Sequence, residues 1–183
     1  MEDSPKGKNS TEKGFIEKGF MEEGFMGSLI DHFPLTEKEL KTYSALALAY
    51  IGDCVFDLVV RTILVSRGND KPQAYHRRAI HFVNAAAQKD MMSMLTASLT
   101  EEEKAVFRRG RNAKGASPAR NQSLHDYRIA TGFEALLGYL YLSGQRERIY
   151  QLLSLCLQEE EKLLTPVLEE EEAAVHRRRP GRK

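Results

Sequence analysis

The sequence predicts an all-α domain, and three observations carry that reading. After Pro34, apolar residues recur at three- and four-residue spacing through most of the chain. Two capping boxes open such runs, Thr36-Glu37-Lys38-Glu39 and Thr100-Glu101-Glu102-Glu103. β-branched residues are sparse and nowhere alternate over the length of a strand.

Each element follows from local signals. Residues 1–34 hold a near-repeat, Glu12-Lys13-Gly14-Phe15, Glu17-Lys18-Gly19-Phe20 and Glu22-Glu23-Gly24-Phe25. A five-residue period with a glycine in each unit suits neither helix nor strand, so this stretch reads as a disordered or weakly structured tail. From Leu40 to Val65 the pattern is helical, as one helix or two, and Gly68 is a stop signal. Pro72 opens the next segment, with Ala79, Phe82, Val83 and Ala86 at helical spacing, running to about Leu99. The second capping box starts a short helix that ends near Gly110, and Gly, Ser, Pro and Asn make 110–121 a loop. A helix from about Ser123 to Leu142, closed by Gly144, and a last helix over 145–163 complete a body spanning 35–163. Residues 164–183 form a charged, solvated tail.

Length and composition narrow the function. One domain fits 183 residues and 20.8 kDa. The net charge of +1 conceals a polarity along the chain. Residues 1–44 carry 9 acidic and 6 basic side chains, whereas residues 71–128 carry 11 basic and 5 acidic ones. A basic middle on a neutral chain points to a local anionic partner. No apolar run approaches the ~18 residues of a membrane span, and the polar N-terminus lacks a signal region, so a cytoplasmic protein without membrane partners is expected. Cys54 and Cys156 lie in apolar helical patterns and read as free, buried thiols in a reducing compartment. No Cys/His cluster has zinc spacing.

The chemically informative residues are acids in apolar surroundings. Ile129 to Leu142 contains one charge, Glu134, and Leu46 to Val60 has Asp53 at its centre with Asp57 one turn on. An ionised carboxylate in such a place is costly unless it is paired or bound to a cation. Each acid alone fits a cap or an ion pair. Two acids on two core helices converge if the helices pack together, and oxygen ligands without histidine favour Mg²⁺ or Mn²⁺. Gly52, Gly132 and Gly138 lie inside the same helices, where glycine disfavours the helix, so they mark a close neighbour, a ligand or tight helix packing.

Arg108, Arg109, Arg111, Asn112 and Lys114 gather cations and an amide at a helix end, with Arg77 and Arg78 on another helix. Such a run fits a solvated patch that complements the helix dipole, or phosphate and 2′-hydroxyl contacts. Without interleaved aromatics, backbone reading of a duplex suits it better than stacking on single strands. Gly110 and Gly115 have P-loop spacing but lack the Lys-Ser/Thr and the preceding strand.

Leu46-Ala47-Leu48-Ala49-Tyr50-Ile51-Gly52-Asp53-Cys54-Val55 resembles the ribonuclease III signature, and Phe133-Glu134-Ala135-Leu136-Leu137-Gly138 the second acidic motif of that family. The Arg-Gly-Arg-Asn-Ala-Lys run and Tyr127-Arg128 are similar to the short form that has a catalytic domain and no double-stranded-RNA-binding domain. The resemblance covers residues 40–158. It implies a helical ribonuclease III endonuclease domain working as a homodimer, with Mg²⁺-dependent cleavage of double-stranded RNA into 5′-phosphates and 3′-hydroxyls. It further implies a large-subunit (23S) ribosomal RNA precursor as substrate, with a ribosomal protein or the assembling large subunit as a further partner. Asp53 and Glu134 are carried over as catalytic and metal-binding residues. Leu46, Ala49 and Thr131 stand where the full-length enzymes have acids, which leaves a site poorer in carboxylates, with Asp57 available as an outer acid. The alternatives are a non-catalytic RNA-binding helical dimer in ribosome assembly and a His-Asp metal phosphohydrolase suggested by His125-Asp126.

Overall fold

The computed structural model describes residues 29–114 and 123–157, and every regular element among them is helical. The glycine-phenylalanine repeats, most of the loop expected at 110–121, the end of the helix expected at 145–163 and the charged C-terminal stretch lie outside the described residues. Within the stretch assigned to the tail, residues 29–32 form a helical turn, and Ile30 packs against the core.

The Leu40–Val65 pattern is two helices, α1 (Glu37–Thr42) and α2 (Ala45–Ser66). Both halves of the first capping box are present: Glu39 N–H donates to Thr36 Oγ1 at 3.2 Å, and Thr36 N–H to Glu39 Oε2 at 2.8 Å. Tyr43 is extended, and the Ser44 hydroxyl restarts the chain as α2 by accepting from Ala47 N–H at 3.1 Å.

The single segment expected from Pro72 to Leu99 is instead α3 (Pro72–Val83), α4 (Ala85–Leu95) and a 3₁₀ turn over Thr96–Ser98. Asn84 makes the break. Its backbone is extended, its Nδ2 donates to the carbonyls of Ile80 and His81 at 2.9 Å each, and its Oδ1 accepts from Ala87 N–H at 3.0 Å. One side chain thus closes one helix and opens the next, the competition with helical bonding that short polar side chains offer. Then come α5 (Glu101–Arg111), α6 (Leu124–Leu142) and α7 over 146–157. At the end of α6, Gly144 has φ +74°, Gln145 N–H donates to the Leu140 carbonyl at 2.8 Å and Gly144 N–H to that of Tyr141 at 3.0 Å. This is the Schellman closure, which favours glycine at the left-handed position.

Helix α6 is the axis of the fold. From Ala130 to Tyr141 all but Glu134 are buried, because α2, α4 and α5 all pack on it. Phe133 meets Phe56 of α2 edge to face, ring centres 5.2 Å apart. Backbones touch where the glycines fall. A methyl group at Gly52 would lie 1.8 Å from the Glu134 carbonyl oxygen, and one at Gly138 would lie 1.9 Å from that of Leu48. The pattern repeats on α5, where Gly110 abuts Ala135, Gly132 and Thr131, and Gly132 abuts Phe107. Of the readings open for Gly52, Gly132 and Gly138, tight helix packing is the one the fold uses.

The rim is fastened by polar contacts. Glu103, 4% exposed, both completes the second capping box and receives Arg148 of α7, Nε to Oε1 at 2.7 Å and Nη2 to Oε2 at 2.9 Å. Arg148 also donates to the Ser98 carbonyl, and Tyr139 to Glu102 at 2.7 Å. Cys156 is buried, as expected, against Met91 and Leu152.

Gly138→Ala should destabilise the protein by about 3 kcal/mol or more, because the obstructing atom is backbone and the helices must separate. Urea unfolding measures this. Arg148→Met should cost a similar amount, roughly 3 kcal/mol, by leaving Glu103 buried without its cation. Most of that effect should disappear in a Glu103→Gln background if the ion pair is the cause, the bond to the Ser98 carbonyl accounting for the remainder.

Candidate active site

The glycine contacts determine where the acids go. Gly52 sits against the Glu134 backbone, so Asp53, the next residue of α2, comes near enough for its charge to act on the Glu134 carboxyl group. The two carboxylates act on each other. Glu134 is pushed up to about 7, first by burial and then by the charge of Asp53, with the Gln88 amide pulling the other way. Asp53 is also raised, first by burial and then by the charge of Asp57. Asp53 is nevertheless solvent-exposed rather than enclosed in the core, and Glu134 is half-buried, so the pair opens to the surface. Asp57 is engaged on its own helix, accepting Arg61 Nε at 2.6 Å.

No Lys or Arg pairs with Asp53 or Glu134 among the described residues. Two mutually repelling carboxylates, open to solvent and without a protein cation, suit a hard divalent ion that brings its own waters. Among the described residues no third His, Cys, Asp or Glu completes a cluster with them. Ala49 is buried, Leu46 is exposed, and the Thr131 hydroxyl is turned back to the Tyr127 carbonyl at 3.0 Å. His125 contacts Asp126 at 3.2 Å, and no histidine joins it in a metal-binding group among the described residues.

The basic run starts at the level of α6 that carries Glu134. Gly110 and Phe107 press on Thr131, Gly132 and Ala135, the stretch of α6 that carries Glu134. Arg108, Arg109, Arg111, Asn112 and Lys114 are all exposed there. The Arg111 guanidinium lies 5.8 Å from the centre of the Phe107 ring, and its Nε donates to Asn112 Oδ1 at 3.3 Å. On α3, Arg77 is exposed, whereas Arg78 is half-buried and bonded to Asp70 at 2.8 Å. The Tyr75 hydroxyl, bonded to Asp70 N–H and the Gly68 carbonyl, braces the same turn.

One expectation is corrected. Cys54 is exposed, not buried. It follows Asp53 on the face of α2 directed away from α6, among the exposed Leu46, Tyr50 and Leu58. Sequence reasoning also missed Gln88, which is fully enclosed on α4 and is the one side-chain amide acting on Glu134. A signal was present: Gln88 shares an apolar row with Met91, Met92 and Leu95 at spacings of three, four and seven.

The ribonuclease III domain family model matches residues 46–145. The mini-ribonuclease 3 of Enterococcus faecalis is 45% identical over 122 residues, spanning 66% of this chain and 92% of the relative. That of Clostridium tetani is 42% identical over 67% of this chain and 82% of its own length. A crystal structure of a Fusobacterium nucleatum protein superimposes with a TM-score of 0.60 at 28% identity, covering 66% of this chain and 97% of that one.

The raised Glu134 has a signed consequence for stability. The unfolded carboxyl ionises at about 4.3, whereas the folded one ionises at about 7. The folded state therefore holds the proton more tightly, and its advantage, complete below the unfolded value, is lost as pH rises to about 7. In EDTA, wild type should lose roughly 2–4 kcal/mol relative to Glu134→Gln between about pH 4.5 and 7.5. Parallel denaturation curves for the two proteins across that window would show that Glu134 is not electrostatically strained.

Proposed function

This chain belongs to the ribonuclease III family and is an endoribonuclease of that type, and on that premise we propose that it cuts double-stranded RNA with Mg²⁺, for which Mn²⁺ can substitute. The observation that carries the reading is the convergence of Asp53 and Glu134 across the glycine contact, level with the basic end of α5. Asp53 and Glu134 would hold the cation. When bound, it supplies Lewis-acid activation of the attacking water and offsets charge on the phosphodiester oxygens. The rest falls to the chain. Asp53, on the open side, and Glu134, on the enclosed side, orient the water relative to the scissile phosphate. Arg108, Arg109, Arg111, Asn112 and Lys114 grip the backbone, with Arg77 as an outlying contact. Arg78 is the weakest of this set, because Asp70 already neutralises it.

The homodimer is supported by the outer face of α2. Leu46, Tyr50, Cys54 and Leu58 succeed one another at four-residue spacing and are all exposed, Tyr50 by 78%. A second copy covering that stripe would bring its own Asp53 alongside, one site for each strand of a duplex. From the resemblance to the short form of the family, the proposed substrate is a large-subunit ribosomal RNA precursor. The cytoplasm is then the proposed location, and the assembling subunit or one of its proteins the proposed further partner. No helix among the described residues is long and apolar enough to cross a membrane.

The decisive assay incubates duplex RNA with the protein in Mg²⁺ and in EDTA. Scission in Mg²⁺ alone, lost by at least about a thousandfold (~4 kcal/mol of barrier) in Asp53→Asn, is expected. Retention of RNA without scission under any divalent ion would assign a binding role instead. Arg111→Ala with Lys114→Ala should weaken binding at every sequence and lower the salt slope by about one to two units. An unchanged slope would place the basic end of α5 off the RNA path.

A further inference from the structure

We propose that the outward stripe of α3, formed by Gln73, His76, Arg77, Ile80 and His81, is a second docking surface for the backbone of duplex RNA, separated from the basic end of α5 by the two helices that carry Asp53 and Glu134. The proposal deepens the RNA reading above and rests on it.

The pattern of α3 sets the stripe. Ala74, Ala79 and Phe82 are buried and turn one side of the helix to the core, with Tyr75, Arg78 and Val83 half-buried beside them. The residues left outside, Gln73, His76, Arg77, Ile80 and His81, recur at helical spacing and make one continuous exposed face. Its charge is one-sided. Of the seven helices α1–α7, α3 is the one that carries no acid. The acid that precedes it, Asp70, is bonded to Arg78 at 2.8 Å and accepts from Lys71 N–H at 2.7 Å. Asp57, on the neighbouring α2, is taken up by Arg61. A solvated helix face ordinarily mixes both signs. A face of cationic and amide donors without a carboxylate has nothing to repel a phosphate.

The place of α3 in the fold selects RNA as the anion. Residues 67–71 join α2 to α3, a length at which paired helices run antiparallel. The Tyr75 hydroxyl clasps that turn, meeting Asp70 N–H and the Gly68 carbonyl. Helix α3 therefore returns along α2. His81 lies nine residues after Pro72, and Asp57 nine residues before Ser66. At about 1.5 Å per residue, the stripe comes back by about 14 Å, to the level of Asp57, one turn from Asp53. In the order of packing, α3 lies on α2, α2 on α6 and α6 on α5. The helices with the two acids thus stand between the basic end of α5 and the acid-free face of α3. A duplex that lies over the acid pair and extends past it on both sides meets both. Two grips fix its direction across the site, where one would let it swing, and each phosphate held adds affinity that is independent of sequence.

Ile80 offers the test, because it is 48% exposed at the centre of the stripe and can take a charge without disturbing the core. The probe is a mixed-sequence RNA duplex. Its affinity for the full chain is measured over a range of salt in Mg²⁺, with Asp53→Asn present throughout to prevent scission. Ile80→Glu should weaken binding about tenfold or more, by setting a carboxylate against phosphate, whereas Ile80→Lys should bind at least as tightly as the parent. Arg77→Ala should lower the salt slope by about one unit. That loss should add to the loss from Arg111→Ala with Lys114→Ala, as grips on separate phosphates do. If Ile80→Glu does not fold, Gln73→Glu, in the exposed first turn of α3, carries the same test of charge. Unchanged affinity in the glutamate variant, or an unchanged slope in Arg77→Ala, overturns the proposal. The RNA reading then still stands if Arg111→Ala with Lys114→Ala weakens binding. Equal losses in Ile80→Glu and Ile80→Lys trace the effect to shape rather than charge and overturn the proposal as well. A parent chain that retains no duplex overturns the RNA reading and this proposal with it.

Discussion

The contact between the backbones of α2 and α6 at Gly52 and Gly138 governs the rest of the structure. Each glycine removes a methyl that would overlap a carbonyl of the other helix, so the backbones of α2 and α6 come into direct contact. Mid-helix glycine weakens a helix by roughly 1 kcal/mol relative to alanine. The return is a close-packed interface in which Phe56 meets Phe133 and Leu48 and Val60 are sealed. The same approach sets the chemistry, because the residue after Gly52 is Asp53 and the residue that Gly52 touches is Glu134. Gly110 and Gly132 repeat the device one helix over and bring the basic end of α5 to the same level of α6.

Two glutamates show how partners decide the state of a carboxyl group in this fold. Glu103 is the more enclosed, yet the Arg148 guanidinium, ahead of every other influence, holds it below the usual carboxylate range. Glu134 has no such cation, faces Asp53, and is pushed up to about 7. The first is a fastening between α5 and α7. The second stores an electrostatic tension that a proton relieves at low pH and that, on the proposed function, a divalent ion would relieve at neutral pH. Asp53 shares the tension from the exposed side, which leaves the pair reachable by an ion and by a phosphodiester.

The remaining elements hold this arrangement from outside. Asn84 ends α3 and starts α4, and so sets the register that carries Gln88 to α6. Tyr75 and the Arg78–Asp70 pair close the turn between α2 and α3. Arg148, reaching Glu103 and the Ser98 carbonyl, joins the last helix to the start of α5. Each is a polar contact at a helix end, where unpaired backbone groups and charges are available.

The sequence by itself determined that the body is helical and where several of its helices begin and end, because caps and apolar periodicity act within a few residues. Thr36 with Glu39, Thr100 with Glu103, Ser123 and Gly144 all work as their spacing indicates. It also marked Asp53 and Glu134, since a charge in an apolar run is conspicuous without any structure. Asn84 was less legible: its break depends on both ends of one amide being used, and the apolar pattern runs on through it. Tertiary structure alone decided which face of each helix is covered. Cys54 lies in as apolar a run as Cys156, yet α2 turns Cys54 outward while α7 turns Cys156 onto Met91. Arg78 looked like its neighbours until Asp70 came across the turn to meet it. Gln88 acts on Glu134, 46 positions on in the chain, because α4 packs on α6. Such pairings depend on how helices cross, and a crossing is set by surfaces that only folding brings together.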